Sequence, residues 1–433
     1  MEQIFQDAKK TLYPRLALYE AIAKYKGEHE RRRPASDRIS EIRRDFLDSS
    51  AYLCDIEKGG ATVTAAGLQK LPYSNILCLA ANEGIRSAVK SYANDLRDIL
   101  VNMNSETEVK AREEVFQRAI YMCSPRLAFY KEELRTYATR CRMELRKELP
   151  DDSVSSLRNK LKKLSEPRVS FNLARIVDLC YDMRGREVDA IKKRSINSKD
   201  NFGSLAHYIG RLGATRSPVN TVVRAMSQVP SLRKISDIRV MDVPEVRRVT
   251  LSAEDMVPYE IVWKISKDSV SQNTLAIQSA LHNLIYLDPP SGVGSDNPVR
   301  IVLSARRTIQ TRVHAELQIG DFFSHQSLDF VDGDKYIGCS KPACYFCYIW
   351  LISHNYRYVQ PATHSKILPG CRGPDKHIDE SSVAILKDMY KKIILRVGQD
   401  ILDFLLNERN DEAAGRRHHY MSTEGTSRAT SII

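Results

Sequence analysis

His314-Ala315-Glu316 and, thirty residues further on, Cys344-Tyr345-Phe346-Cys347 are the two stretches that decide the reading of this 433-residue chain. An imidazole, two thiols at C-x-x-C spacing and a carboxylate two positions past the histidine are the parts of a zinc site. Zinc accepts imidazole nitrogen and thiolate sulfur, and a catalytic site holds it with three protein ligands, leaving the fourth position for water. Placed on one helix, Cys344 and Cys347 share a face and can bind one ion. A position in a first helical turn favours their thiolate forms. C-x-x-C alone would be a weak signal; the joint pattern is a strong one.

Working outward, the thirty residues between the motifs have room for one helix, a loop and one strand. Val313 to Phe323 reads as a helix that starts at the His-Ala-Glu motif. Asp332-Gly333-Asp334 turns into a strand, Lys335 to Cys339, and Ser340 reads as the cap of the cysteine helix, with Pro342 in its first turn. Tyr259 to Ile265 and Val299 to Leu303 read as strands, as does Tyr356 to Val359. Thr274 to Leu287 and Ser382 to Leu406 read as helices, and Asp288 to Ser295 as a loop. Two helix N-termini then meet at one end of a sheet, where α/β folds place their sites.

The first half carries helical periodicity through Leu12, Leu16 and Tyr19, and again through Leu157, Leu161 and Leu164. Pro125, Pro150 and Pro167 separate successive helices, and Gly59-Gly60 marks a turn before Thr62-Val63-Thr64. The expected organisation is a basic, mostly α-helical region over 1–234, a zinc-binding α/β domain over 235–407, and a tail over 408–433 without fixed structure.

Nine cysteines, an odd number without framework spacing, suit reduced thiols in cytoplasm or nucleus. No apolar run is long enough to cross a membrane, and the first residues lack the features of a signal peptide. A non-secreted protein away from the membrane is expected. Of the net charge of +12, residues 1–250 hold 46 Lys and Arg against 33 Asp and Glu, and residues 251–433 hold 20 against 21. Exposed helix faces account for that surplus more readily than a nucleic-acid surface does. The same holds for the short clusters Arg31-Arg32-Arg33, Lys192-Lys193-Arg194 and Arg416-Arg417-His418-His419. Walker A, HExxH and GxSxG patterns are absent, which excludes the NTPase, zincin and α/β-hydrolase readings.

H-x-E followed by C-x-x-C is the signature of zinc deaminases, in which the glutamate is not a ligand. The expected chemistry has His314, Cys344 and Cys347 as zinc ligands and a zinc-activated hydroxide attacking C4 of a cytosine or C6 of an adenine. Glu316 moves the protons. The substrate is a nucleobase, free or within a nucleic acid. A competing arrangement has Cys339, five residues before Cys344, closing a Cys3His site with no water. Three ligands are preferred, because Cys339 ends a strand and Glu316 would otherwise have no role; Cys371 is set aside as a ligand. Ser340, Lys341, Tyr345 and His364 are candidate substrate contacts. Their plainer readings are a helix cap for Ser340, packing for Tyr345 and an exposed loop histidine for His364. The alternative function is a non-catalytic binding protein or scaffold whose zinc is structural.

Val313 to Cys347, with Tyr336 to Lys341 before the cysteines, resembles the cytidine-deaminase-like superfamily. Within it the resemblance is to fungal proteins grouped with bacterial toxin-type deaminases. Phe46-Leu47-Asp48, Cys54 to Thr64 and Leu205 to Leu212 resemble segments that accompany the domain in those proteins, and His364 matches a histidine position there. The resemblance implies a three-layer α/β/α fold, His314, Cys344 and Cys347 as zinc ligands and Glu316 as proton shuttle. It names no substrate. Two positions depart from the pattern: Ala343 separates Pro342 from Cys344, and Cys371 stands where related sequences tend to carry tryptophan.

Overall fold

The computed structural model describes the chain apart from residues 1, 24–28, 149–151, 166–171, 198–199, 269–273, 288–297, 376–379 and 412–433. The loop expected at Asp288 to Ser295, the prolines Pro150 and Pro167, His377, the Arg416–His419 cluster and most of the expected tail lie outside the described residues. Helices predominate, and the described strands are Thr64–Lys70 (β1), Asn75–Ala81 (β2), Ile235–Val240 (β3), Arg247–Thr250 (β4), Thr308–Thr311 (β5) and Gly338–Cys339 (β6). Among the described residues no helix is long and apolar enough to cross a membrane. The chain divides into two compact units, each drawn from several stretches of sequence.

One unit takes its described residues from Pro34–Asp242 and Leu328–Lys341. Its sheet has the order β3-β2-β1-β6. β1 and β2 form an antiparallel hairpin from Thr64 opposite Ala81 to Lys70 opposite Asn75, and Leu71 and Ser74 close the turn at 2.9 Å. β3 runs parallel to β2, while β6 runs antiparallel to β1, with Ala65 opposite Cys339. Every residue of β2 is buried, as expected of a strand covered on both faces. Three of the four strands therefore precede residue 241, within a stretch whose periodicity is mainly helical.

The helix Arg38–Cys54 packs on β1 and β6. Asp48, on that helix, accepts the Tyr336 hydroxyl at 2.7 Å and the Cys339 backbone N–H at 3.0 Å. Arg44 makes an ion pair with Asp334 at 2.7 Å. These contacts fix the strand that leads to the cysteine motif. Only Gly338 and Cys339 of the expected strand 335–339 pair in the sheet. The connection from β2 to β3 is helical, and helix Glu108–Met122 meets helix Ser124–Leu145 at Pro125, as the sequence requires.

The other unit takes its described residues from Met1–Arg33, Val243–Ser327 and Pro342–His418. Helix Glu2–Ile22 packs along the terminal helix Glu380–Asp411 and on Pro298–Ala305. The terminal helix includes the expected span 382–406 and continues to Asp411, and the helix Thr274–Leu287 has the expected bounds. β4 and β5 pair antiparallel, from Arg247 opposite Thr311 to Thr250 opposite Thr308.

Two expected strands are helices. Tyr259–Ile265 lies inside helix Pro258–Asp268, where Ile261, Val262 and Ile265 are buried. Val299–Leu303 lies inside helix Pro298–Ala305, which buries Val299 and Leu303. Both burial patterns follow the i, i+4 spacing of a helix packed on one side, and proline at the first position suits a helix start. Residues 356–359 form no strand. The cysteine helix is Tyr345–Ser353, with Cys344 in the cap position. Ser340 does not cap it; its hydroxyl donates to Asp55 at 3.1 Å and accepts the Thr64 N–H at 3.1 Å.

Candidate metal centre

Both motifs sit at helix starts. His314 has extended backbone angles (φ −70°, ψ 157°) and precedes helix Ala315–His325; Cys344 (φ −73°, ψ 166°) precedes Tyr345–Ser353 in the same way. The His314 carbonyl accepts from Leu317 and Gln318 at 3.0 and 3.1 Å, and the Gln318 amide donates to Val313 O at 2.9 Å, which fixes the turn into the helix. On the cysteine side, Ala343 N donates to Ala362 O at 2.8 Å, His364 N to Ala343 O at 3.1 Å and Tyr345 N to Lys366 O at 3.0 Å. The buried Thr363 hydroxyl adds a bond to Ala343 O at 2.8 Å.

A third segment completes the cluster. Arg312 N donates to Gly370 O at 2.9 Å and Arg372 N to Arg312 O at 3.0 Å, a parallel bridge that lays Cys371 beside the residues before His314. Arg372, fully buried, holds this segment through Asp375 and through a 2.6 Å bond to Glu245 O, and Arg247 reaches Asp375 at 2.5 Å.

Nδ1 of His314 is 3.5 Å from Cys344 Sγ and 3.3 Å from Cys347 Sγ, and Cys347 Sγ is 3.4 Å from Cys371 Sγ. The four donor atoms lie within 4.8 Å of one another. Zinc bonds of about 2.3 Å to sulfur and about 2.0 Å to nitrogen set tetrahedral ligands about 3.5–3.8 Å apart. These three separations, 3.3–3.5 Å, come within a few tenths of an ångström of that spacing, and the sulfur–sulfur distance far exceeds the roughly 2.05 Å of a disulfide. The donor set therefore fits a zinc ion. Burial works against the Cys344 thiolate, but hydrogen bonds from Cys347 and Cys371 and the charge of His314 outweigh it and hold this thiol well below its ordinary range. Burial and the neighbouring thiols push Cys347 up.

Glu316 lies in the first turn of its helix and is 5 % exposed. It stands outside the four-donor group, with its carboxyl group in hydrogen-bonding reach of Cys347, and burial raises it above the ordinary carboxylate range.

The structure thus brings together His314, Glu316, Cys344 and Cys347, and it adds Cys371, which sequence reasoning had set aside. Cys339 is not in the cluster among the described residues: it belongs to the other unit, with its sulfur 3.9 Å from Ile337 O. Ser340 and Lys341 also belong to that other unit, where Asp55 holds both, Lys341 Nζ at 3.3 Å. The Tyr345 hydroxyl donates to Asp400 at 2.6 Å and its ring meets Tyr19 edge-on. Nδ1 of His364 accepts the Lys366 N–H at 3.0 Å. Cys371 follows Leu368-Pro369-Gly370, a turn signal with no metal-ligand spacing to the other donors, so no local motif marks it.

The same stretch carries a likeness to a known protein family. A family model for an OTT_1508-like deaminase, of a bacterial toxin-type deaminase family, matches residues 313–375, from the residue before His314 to just beyond Cys371. No curated protein and no solved structure matches the chain. Residues 313–375 are deaminase-like and carry a His/Cys3 group able to hold a metal ion.

Proposed function

We propose that the chain is a zinc-dependent hydrolytic deaminase of a nucleobase, cytosine- or adenine-type, free or within a nucleic acid. In this reading the activity resides in residues 235–407, the domain has the three-layer α/β/α fold, and the protein works in cytoplasm or nucleus. The observation that carries the reading is Glu316: a buried carboxyl group beside the donor set, yet not one of its members. The deaminase-like match over the same residues supports it.

His314, Cys344 and Cys347 would hold zinc, which lowers the pKa of a bound water so that a nucleophile is available at neutral pH. Glu316 takes a proton from the attacking water on its carboxylate oxygen. It then delivers protons to the ring nitrogen and to the departing amine, and ammonia leaves. The packed helix start keeps this carboxyl group away from bulk solvent. Tyr345 and His364, which lie in the same unit as the donor set, remain the proposed substrate contacts.

Ammonia release from cytosine and adenine compounds, single-stranded DNA and RNA tests the reading. Replacing Glu316 with Ala or Gln should lower the rate about 100- to 10,000-fold, the usual range for a lost general acid–base group, with zinc content unchanged. Full activity in Glu316→Ala would overturn the mechanism.

Cys371 favours a second reading. Four donors make a closed site, which is the structural rather than the catalytic arrangement. Zinc would then tie together the segments around His314, Cys344 and Cys371, and the chain would act as a binding protein. A wild type that releases no ammonia across the whole panel supports this reading.

A further inference from the structure

A second polar cluster lies wholly within the unit that contains β1, and it does not depend on the deaminase reading. Asp55, 1 % exposed, follows helix Arg38–Cys54. It accepts from the Thr62 hydroxyl at 2.7 Å and the Ser340 hydroxyl at 3.1 Å, and Lys341 Nζ lies 3.3 Å away. Its hydrogen-bonding needs are met without Arg126, whose Nη1 stands 4.0 Å off.

Arg126 is the group left unexplained. It is 3 % exposed, in the first turn of helix Ser124–Leu145, with its guanidinium 4.4 Å from the centre of the Tyr52 ring. Its Nε and Nη2 are buried and have no hydrogen-bond partner among the described residues. These two atoms form one edge of the guanidinium fork, the edge that pairs with two oxygens of one anion. A buried polar atom without a partner costs about 1–3 kcal/mol, more for a charged group, and most buried polar groups in native proteins have a partner in the protein or in ordered water.

Arg211, in the last turn of helix Asn201–Gly213, lies 5.8 Å from the centre of the Tyr130 ring. Arg211 and Lys341 both have their pKa lowered, first by burial and further by the charge of Arg126, although Asp55 works in the opposite direction. Arg126 and Lys341 thus share the Asp55 carboxylate, and the charge of Arg211 acts on both. Arg126 is buried, whereas Arg211 and Lys341 are part-exposed and Gly59 and Gly60 on the adjoining turn are open. The cluster therefore has a closed end and a solvent side.

We propose that Arg126, Arg211 and Lys341 form an anion site that takes a phosphate monoester dianion, with Asp55 holding Lys341 in place. Two oxygens of one dianion satisfy Nε and Nη2 of Arg126 side by side, and its charge offsets the positive groups around Asp55. The phosphate can come from inorganic phosphate or from a nucleotide. The neighbouring aromatic rings, Tyr130 beside Tyr208 and Tyr137 stacked on Tyr208, add flat surface near the site.

Calorimetric titration of the full-length protein tests the site, with inorganic phosphate, cytidine 5′-monophosphate and cytidine as probes at matched ionic strength. Saturable phosphate and nucleotide binding, with none for cytidine, is expected. Tighter binding of the nucleotide than of phosphate identifies the nucleotide as the source; equal binding identifies free phosphate. Lys341→Gln and Arg211→Gln, both at part-exposed positions, should each weaken phosphate about tenfold or more, and Arg126→Met should abolish it. Should Arg126→Met fail to fold, the other two variants decide the matter. Absence of saturable binding at millimolar phosphate, or wild-type affinity in both Lys341→Gln and Arg211→Gln, overturns the proposal.

Discussion

Replacing Cys371 with Ser separates a three-donor from a four-donor zinc site, because serine keeps the size of the side chain and removes only the thiolate. The backbone there is held independently, by the bridge to Arg312 and by Arg372 through Asp375 and Glu245. Loss of affinity can therefore be assigned to the ligand. Four-donor sites bind zinc with about 10–16 kcal/mol, and an equal share among the donors is about 2.5–4 kcal/mol each. With Cys371 Sγ only 3.4 Å from Cys347 Sγ, the substitution should weaken zinc roughly 100- to 1,000-fold. Competition against a chromophoric chelator measures this. The cobalt-substituted protein gives a second readout, since its sulfur-to-metal absorption should fall by one thiolate's share. Activity adds a third, because a closed site that loses Cys371 gains an open position and should deaminate faster. Wild-type zinc affinity and an unchanged cobalt spectrum in Cys371→Ser, alongside a clear loss in Cys344→Ser, would refute the four-donor site.

Three further outcomes are expected. His207 and His354 each have their pKa pushed down to about 4, chiefly by burial, and Nδ1 of His354 accepts the Tyr356 N–H at 3.1 Å, which requires the neutral ring. The unfolded chain binds these protons first, so their effect on stability is absent above about pH 6.5. Stability is then lost as pH falls towards 4, by up to about 3 kcal/mol per histidine. Urea midpoints at pH 7 and pH 5 check this, and an unchanged pH slope in the His207→Gln/His354→Gln double variant would count against it. Gly338→Ala would place a methyl group 2.5 Å from the Leu47 carbonyl carbon and 2.6 Å from Asp48 N, both backbone. β6 or the helix must then shift, at a cost of about 1–3 kcal/mol. A melting temperature within a degree of wild type would show that the close approach is not needed. Thr363→Val removes a buried hydroxyl that donates to Ala343 O and accepts from Ser365 N at 2.9 Å. It should cost about 1–3 kcal/mol and weaken zinc with it, and chemical denaturation together with chelator competition reads both.

The helix starting at the His-Ala-Glu motif and the terminal helix were legible because their periodicity is long and their starts are marked. Tyr259–Ile265 and Val299–Leu303 were misread for the opposite reason. Short runs of β-branched and apolar residues fit either a buried strand or one face of a helix. Pro258 and Pro298 stand where helices begin, and they were the available signal. The strands β1 and β2 were obscured by alanine and glycine, small residues that let the helix Arg38–Cys54 lie close but carry little strand propensity. Asp55 and Arg126 look in sequence like ordinary helix-end charges. Their mutual burial depends on helices that are far apart in the chain.

Metal chemistry was written in local sequence, since an imidazole and a C-x-x-C pair supply donors able to hold a metal ion. That much the amino-acid order determined, together with the carboxylate of Glu316 two positions past the histidine. That Cys371 joins these donors was decided only by folding. Cys371 reaches the cluster because the backbone at 370–372 pairs with Arg312, a register set by hydrogen bonds between segments distant in sequence. Spacing along the chain specifies which atoms can bind a metal, and only packing brings all four donors within 4.8 Å of one another.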